Sequence, residues 1–133
     1  MKTSAIEGIG PAYATKLAKV GIRSLEKLLK TGATPKGRKE LAAKAKIGDA
    51  LILEWVNLAD LMRIRGIGSE YSDLLEEAGV DTVLELAGRV PENLFKKMQE
   101  VNKAKNLVNK MPGLKQVSAW VKQAKKLPKA ISY

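Results

Sequence analysis

The chain has 133 residues, 45% of them hydrophobic and 29% charged, a balance that suits one folded domain of ordinary size and excludes disorder. Lysine and arginine total 24 against 14 acids, so the net charge of +10 favours a polyanionic partner. There is no cysteine and no histidine, which removes disulfides, thiolate nucleophiles, imidazole bases and nearly every transition-metal site.

The first element opens at Ile6-Glu7-Gly8-Ile9-Gly10-Pro11. Tyr13, Leu17 and Val20 follow at helical spacing, and Gly21-Ile22 stands where a left-handed cap ends a helix. Thr34-Pro35 reads as an N-cap with proline at the first helical position. The stretch Ala50 to Met62 leaves only Glu54, Asn57 and Asp60 as its stronger polar positions, so it is expected to be a helix buried on most sides, a central spine for one rigid body. Gly79-Val80 ends a further helix, and Thr82 with Glu85 forms a capping box. Leu94, Met98, Val101 and Val108 then keep helical register along one long element, as do Leu114, Val117, Val121 and Ala124 along the last. No period-two strand pattern of useful length occurs. No stretch reaches the ~20 apolar residues of a membrane span, and the start lacks an apolar signal core, so a cytoplasmic location is expected.

Internal similarity organises these elements. Ile6-Glu7-Gly8-Ile9-Gly10-Pro11-Ala12-Tyr13 recurs 58 residues later as Ile64-Arg65-Gly66-Ile67-Gly68-Ser69-Glu70-Tyr71. Leu17 pairs with Leu75, Gly21-Ile22 with Gly79-Val80, Ser24 with Thr82 and Leu28 with Leu86 at the same offset. Farther on the offset becomes 65, where Gly48 meets Gly113, Trp55-Val56 meets Trp120-Val121 and Ala59 meets Ala124. The expected architecture is therefore all-α: two tandem repeats, 1–60 and 61–133, packed as one compact domain.

Glycine permits a tight reversal with positive φ and leaves no side chain between backbone and ligand. Amides near Gly8, Gly10 and the start of the Pro11 helix would converge on one anion, helped by the positive end of the helix dipole. The competing reading is a turn that only packs. On these residues, followed by Ala14 and Leu17, the chain resembles the helix-hairpin-helix superfamily, whose hairpins commonly bind DNA phosphates without reading bases. The whole chain also resembles a bacterial family of tandem helix-hairpin-helix proteins of unassigned function, through Asn57-Leu58-Ala59-Asp60-Leu61-Met62-Arg63-Ile64-Arg65-Gly66-Ile67-Gly68 and Pro35-Lys36-Gly37-Arg38-Lys39-Glu40-Leu41. That resemblance implies two helix-hairpin-helix repeats, and an accessory monovalent cation occurs on some related hairpins. Two departures stand out. Phosphate-binding hairpins often carry a basic residue just after the proline, where this chain has Ala12 and Glu70, and Asp73, Glu76 and Glu77 follow the second copy. The first hairpin, with Lys16 and Lys19, is thus the expected contact, and the second is expected to be mainly structural despite Arg63 and Arg65.

Residues 61–90 carry three basic and six acidic side chains, net −3, whereas 91–133 carry ten lysines and two glutamates, net +8. Lys96, Lys103 and Lys110 recur every seven residues, as do Lys115, Lys122 and Lys129, so each set would form a stripe on a continuous helix. A stripe would follow a phosphate backbone; a merely solvated lysine face is the alternative. Trp55 and Trp120 fall at core-like positions, leaving no aromatic platform for single-stranded bases and favouring double-stranded DNA.

No paired carboxylate, base, nucleophile or phosphate-binding Walker motif is present, so the expected function is non-enzymatic, without cofactor or metal: sequence-nonspecific binding of the DNA backbone. The expected contacts are Gly8, Ile9, Gly10, Lys16, Lys19, Arg65, Gly66, Gly68, Lys103, Lys110, Lys122 and Lys129. The alternative is a protein-interaction module, in which the acidic region from Glu70 to Glu85 meets a basic surface or the chain's own lysine-rich end.

Overall fold

A computed structural model describes residues 1–6 and 8–133; Glu7, inside the first glycine motif, lies outside the described residues. The fold is all-helical, with no strand among the described residues. A 3₁₀ turn, Thr3–Ala5, precedes α1 (Pro11–Lys19), α2 (Leu25–Thr31), α3 (Pro35–Ala45), α4 (Asp49–Leu61), α5 (Ser69–Glu77), α6 (Val83–Ala87), α7 (Pro91–Lys105) and α8 (Leu114–Ala124). The chain forms two compact units, Met1–Asp60 with Ala130–Tyr133, and Leu61–Lys129. The last four residues thus join the first unit, beyond the expected boundary.

In the first unit, local sequence sets each helix end. Gly21 adopts φ 88°, and the amides of Gly21 and Ile22 close on the carbonyls of Ala18 and Leu17 at 3.0 and 2.9 Å, the paired bonds of a Schellman cap on α1. Ser24 caps α2 through the Lys27 amide at 3.1 Å, and Thr34 caps α3 through the Gly37 amide at 3.0 Å. Glycine is required at position 37 for a different reason. A Cβ there would lie 2.2 Å from the Thr31 carbonyl oxygen, so a side chain would push α3 away from α2. Leu17, Leu28, Ile52, Trp55 and Val56 are buried, and the Tyr13 ring meets Trp55 edge-on at 5.1 Å.

The second unit uses the same devices. Gly79 has φ 94°, and Gly79 and Val80 close on Glu76 and Leu75 at 2.9 Å each, another Schellman cap. Thr82 accepts from the Glu85 amide at 3.2 Å, while the Glu85 carboxylate accepts from the Asp81 amide at 3.3 Å, a capping box shifted by one residue. Leu75, Leu86, Leu94, Met98, Val117, Trp120 and Val121 belong to one buried cluster, with Tyr71 packed against it 5.3 Å from the Trp120 ring. Thus both tryptophans are core residues, each under a tyrosine of the helix that follows a glycine turn.

Three expectations need correction. First, α7 does not run on to Val108. Asn106 turns left-handed at φ 51°, and the Asn102 side chain both accepts from the Val108 amide at 2.9 Å and donates to its carbonyl at 3.1 Å. A polar side chain replaces the missing helical bonds, so Val108 reaches the core from a loop. Second, Leu114 is 39% exposed at the first position of α8; Trp120 fills the apolar face that it was expected to share. Third, the helix that the helix-hairpin-helix resemblance implies ahead of the first glycine turn is only the 3₁₀ turn Thr3–Ala5.

Candidate nucleic-acid interface

Both glycine turns share one backbone design. The Ile9 amide donates to the Ile6 carbonyl, and the Ile67 amide to the Ile64 carbonyl, at 3.1 Å in each case. The third residue of each turn, Gly8 or Gly66, has φ 94°, a region that ordinary side chains avoid. The apolar residues on either side, Ile6 and Ile9 or Ile64 and Ile67, are buried and anchor the turn to its unit. A Cβ at Gly66 would lie 3.1 Å from Trp120 Nε1, and one at Gly8 would lie 3.9 Å from Trp55 Nε1. The indole sits under the turn in both places.

The second glycine of each motif is different in kind. Gly10 and Gly68 are the N-caps of α1 and α5, with φ −79° and −101°, values open to any residue. A Cβ at either meets nothing within 4 Å. Their own fold does not require glycine, whereas Gly8 and Gly66 are held to it by φ. Neither α1 nor α5 has a side-chain cap, unlike α2, α3 and α6. The first-turn amides of Ala12 and Tyr13 therefore have no capping side chain, and the positive end of the α1 dipole emerges between exposed Gly10, Pro11 and Ala12.

Of the expected contacts on this side, Gly8 and Gly10 are exposed on the turn. Ile9 is not available: its side chain is 4% exposed and its amide is taken by Ile6. Lys16 and Lys19 are exposed on α1, about 9 and 13 Å along the axis from Gly10 at 1.5 Å per residue. The Lys16 ammonium lies 3.4 Å from the Lys46 carbonyl at the end of α3 and 5.8 Å from the Tyr13 ring centre. It bridges two helices of its unit and would have to swing to reach an anion at the turn. Lys19 is exposed in the last turn of α1.

The second turn carries opposing features. The Arg65 amide donates to Gln123 Oε1 at 2.6 Å, which occupies one of the amides an anion would use. Arg63 Nη2 donates to the Pro128 carbonyl at 2.6 Å. Gly66 is exposed and Gly68 half-buried, with Glu70 exposed in the first turn of α5. Carboxylate oxygens of Asp73, Glu76 and Glu77 lie within 4.8 Å of one another toward the end of that helix, with Glu77 paired to Lys105, so α5 carries acidic charge where α1 carries lysine.

The lysine stripes are broken. Lys103 is on α7 and Lys122 on α8, both exposed, but Lys110 lies past the end of α7 and Lys129 past the end of α8. Asn106 ends the first stripe. The second stops where α8 caps at Lys125, with Pro128, which lacks an amide hydrogen, immediately before Lys129. Lys110 is instead fixed beside the second turn's helix, because its carbonyl accepts from the Tyr71 hydroxyl at 2.9 Å. The pairing of Tyr13 with Trp55 and Tyr71 with Trp120 escaped sequence reasoning. Its signal was present, as tyrosines 58 residues apart and tryptophans 65 apart.

With this geometry in view, residues 7–127 match the family described as a domain of unknown function (DUF4332). The chain belongs to that family. No curated protein and no solved structure matches the chain. No helix among the described residues is long and apolar enough to cross a membrane.

Proposed function

We propose that this DUF4332 protein binds the nucleic-acid backbone, double-stranded DNA in the first instance, without reading base sequence and without catalysis. The observation that carries the reading is Gly10. It caps a helix with no side-chain cap, its surroundings are open, and nothing in its own conformation calls for glycine. A bare N-cap lets a bulky anion come up to the first-turn amides, where the helix dipole favours negative charge. Lys19 and, on release from Lys46, Lys16 supply counter-charge on the same helix. The helix-hairpin-helix resemblance supports the same assignment, as does the net charge of +10. The protein would act in the cytoplasm, alongside nucleic acid.

The second turn and its acidic helix favour another role for that unit. The face formed by Asp73, Glu76 and Glu77 suits a basic protein surface, which keeps a protein-interaction module as the second reading. A titration of the purified protein against double-stranded DNA, single-stranded DNA and heparin over a range of salt tests the proposal. DNA binding with a slope of log K on log salt of about −4 to −5, for roughly four to six phosphates, is the expected result. Absence of DNA binding at low salt, or binding to heparin alone, would reject it.

A further inference from the structure

From Pro35 to Lys46 five residues are basic and only Glu40 is acidic, a denser positive charge than any other helix carries. The longest helix, α7, has four lysines and two glutamates over its 15 residues. Burial sorts the charges of α3. Arg38 is buried, with Nη1 donating to the Gly32 carbonyl at 2.9 Å and the guanidinium carbon 5.5 Å from the Tyr133 ring centre, so it serves the fold. Lys36, Lys39, Ala43 and Lys46 are all exposed and follow one another at steps of three and four, which sets them in one row that ends at the helix cap. Glu40 lies to one side of the row, where it lines a cavity of about 240 Å³ together with Lys27 and Lys44, so two ammonium groups offset its charge. The start of α3 is closed, because the Thr34 hydroxyl accepts from the Gly37 amide at 3.0 Å. What this helix offers a ligand is therefore its row of side chains.

We infer that the nucleic-acid backbone runs along this face of α3, with Lys36, Lys39 and Lys46 as its phosphate contacts and Lys16 joining them to the α1 turn. The inference rests on the nucleic-acid reading above and adds a second contact surface to it. Helix α3 packs against α1, and the Lys16 ammonium lies 3.4 Å from the Lys46 carbonyl, where the row ends. At that end Lys16 faces the path without leaving Lys46. From Lys36 to Lys46 the helix rises about 15 Å, the axial rise of about four nucleotides of one strand, which long flexible lysines can follow. The partner is argued from charge complementarity: α3 presents its cations in an unbroken row, whereas the rows expected on α7 and α8 are cut at Asn106 and Lys125. Lysine is a compact charge without a fixed fork of donors, so the row holds phosphate and reads no bases. Ala43, in the middle of the row, leaves room for the backbone to come close.

The experiment titrates full-length chains with double-stranded DNA over a range of salt. Lys36→Gln, Lys39→Gln and Lys46→Gln in one chain should weaken binding at low salt by about tenfold or more and flatten the slope of log K on log salt by about 2 to 3, at about 0.9 per phosphate. Lys97→Gln, Lys125→Gln and Lys126→Gln in another chain take the same charge from exposed positions of the second unit, and should leave affinity and slope near the parent's. If the α3 triple variant melts far below the parent, Lys36→Gln with Lys39→Gln takes its place, with the slope flattened by about 1 to 2. A parental slope in the α3 variant would overturn the proposal. Equal losses in the two triple variants would overturn it too, since net charge alone would then be responsible. Failure of the path and failure of the nucleic-acid reading look different: weakened binding in Gly10→Val beside parental binding in the α3 variant removes only the path, whereas a parent that binds no DNA removes both.

Discussion

Helices α1 and α5 occupy matching places, and their differences separate what holds the protein together from what it meets. Both span nine residues, start from an uncapped glycine, end in a Schellman motif and lay a tyrosine against a buried tryptophan. Leu17 and Leu75, at equivalent positions, are fully buried. Yet α1 carries Lys16 and Lys19, whereas α5 carries Glu70, Asp73, Glu76 and Glu77. Ala12 answers to Glu70, Thr15 to Asp73 and Lys19 to Glu77 at the 58-residue offset. Leu17 and the tyrosine recur, but the outward positions change from neutral to acidic at two places and from basic to acidic at one, and exposed Lys16 answers to buried Leu74, so the shared architecture does not imply a shared ligand. Even the turn amides differ in use, because Gln123, which takes the Arg65 amide, has the apolar Leu58 as its counterpart at offset 65.

The recurring parts should prove equivalent when broken. Trp55→Ala and Trp120→Ala should each cost about 3–5 kcal/mol, as a large buried side chain does when it leaves a cavity. Urea denaturation followed by circular dichroism reads both, and a negligible loss at either would remove that tryptophan from the core. Next in size, Gly8→Ala and Gly66→Ala should each lose about 1–2 kcal/mol from their left-handed backbone. Gly66→Ala should lose more, since its methyl would press on Trp120 Nε1 at 3.1 Å where the counterpart at Gly8 has 3.9 Å. Calorimetric melting of the two variants gives the order. The equivalent N-caps come third: Ser24→Ala and Thr82→Ala should each cost about 1 kcal/mol. Thr82→Ala should cost slightly the more, because Thr82 is buried whereas Ser24 is half-buried. Smallest is Lys105→Ala, which removes an exposed pair with Glu77 and should change stability by less than about 1 kcal/mol.

Much of the fold is legible in sequence where one residue type has one physical use. Gly21 and Gly79 end helices because L side chains resist their φ, and Thr34 and Thr82 start helices because a short hydroxyl reaches an amide two or three residues on. Repetition at a fixed offset marks the two turns. Periodicity fails where a polar side chain substitutes for the helix: Asn102 holds Val108 by both of its backbone groups, and the seven-residue lysine spacing runs straight across that break. Apolar spacing also fails at Leu114, since the first turn of α8 has less to pack against than its later ones. At the candidate site, exposure of Gly8 and Gly10 follows from the motif. Burial of Ile9, the bridging of Lys16 to Lys46 and the capture of the Arg65 amide by Gln123 do not, because each depends on a partner distant in sequence. The placement of Ala130–Tyr133 on the first unit is of the same kind, for a four-residue segment has no pattern to read.

The contrast between the two turns is tested most directly by adding one side chain to each. Gly10→Val and Gly68→Val both fall at N-caps with ordinary φ and nothing within 4 Å of the new Cβ, so both proteins should fold and melt close to the parent. Titrated against double-stranded DNA at low salt, Gly10→Val should bind about tenfold or more weakly than the parent, a loss of about 1.4 kcal/mol or more, because the valine blocks approach to the α1 amides. Gly68→Val should bind as the parent does. Two well-folded variants that both bind DNA like the parent, or a parent that does not bind at all, would contradict the assignment of the first glycine turn as the phosphate site.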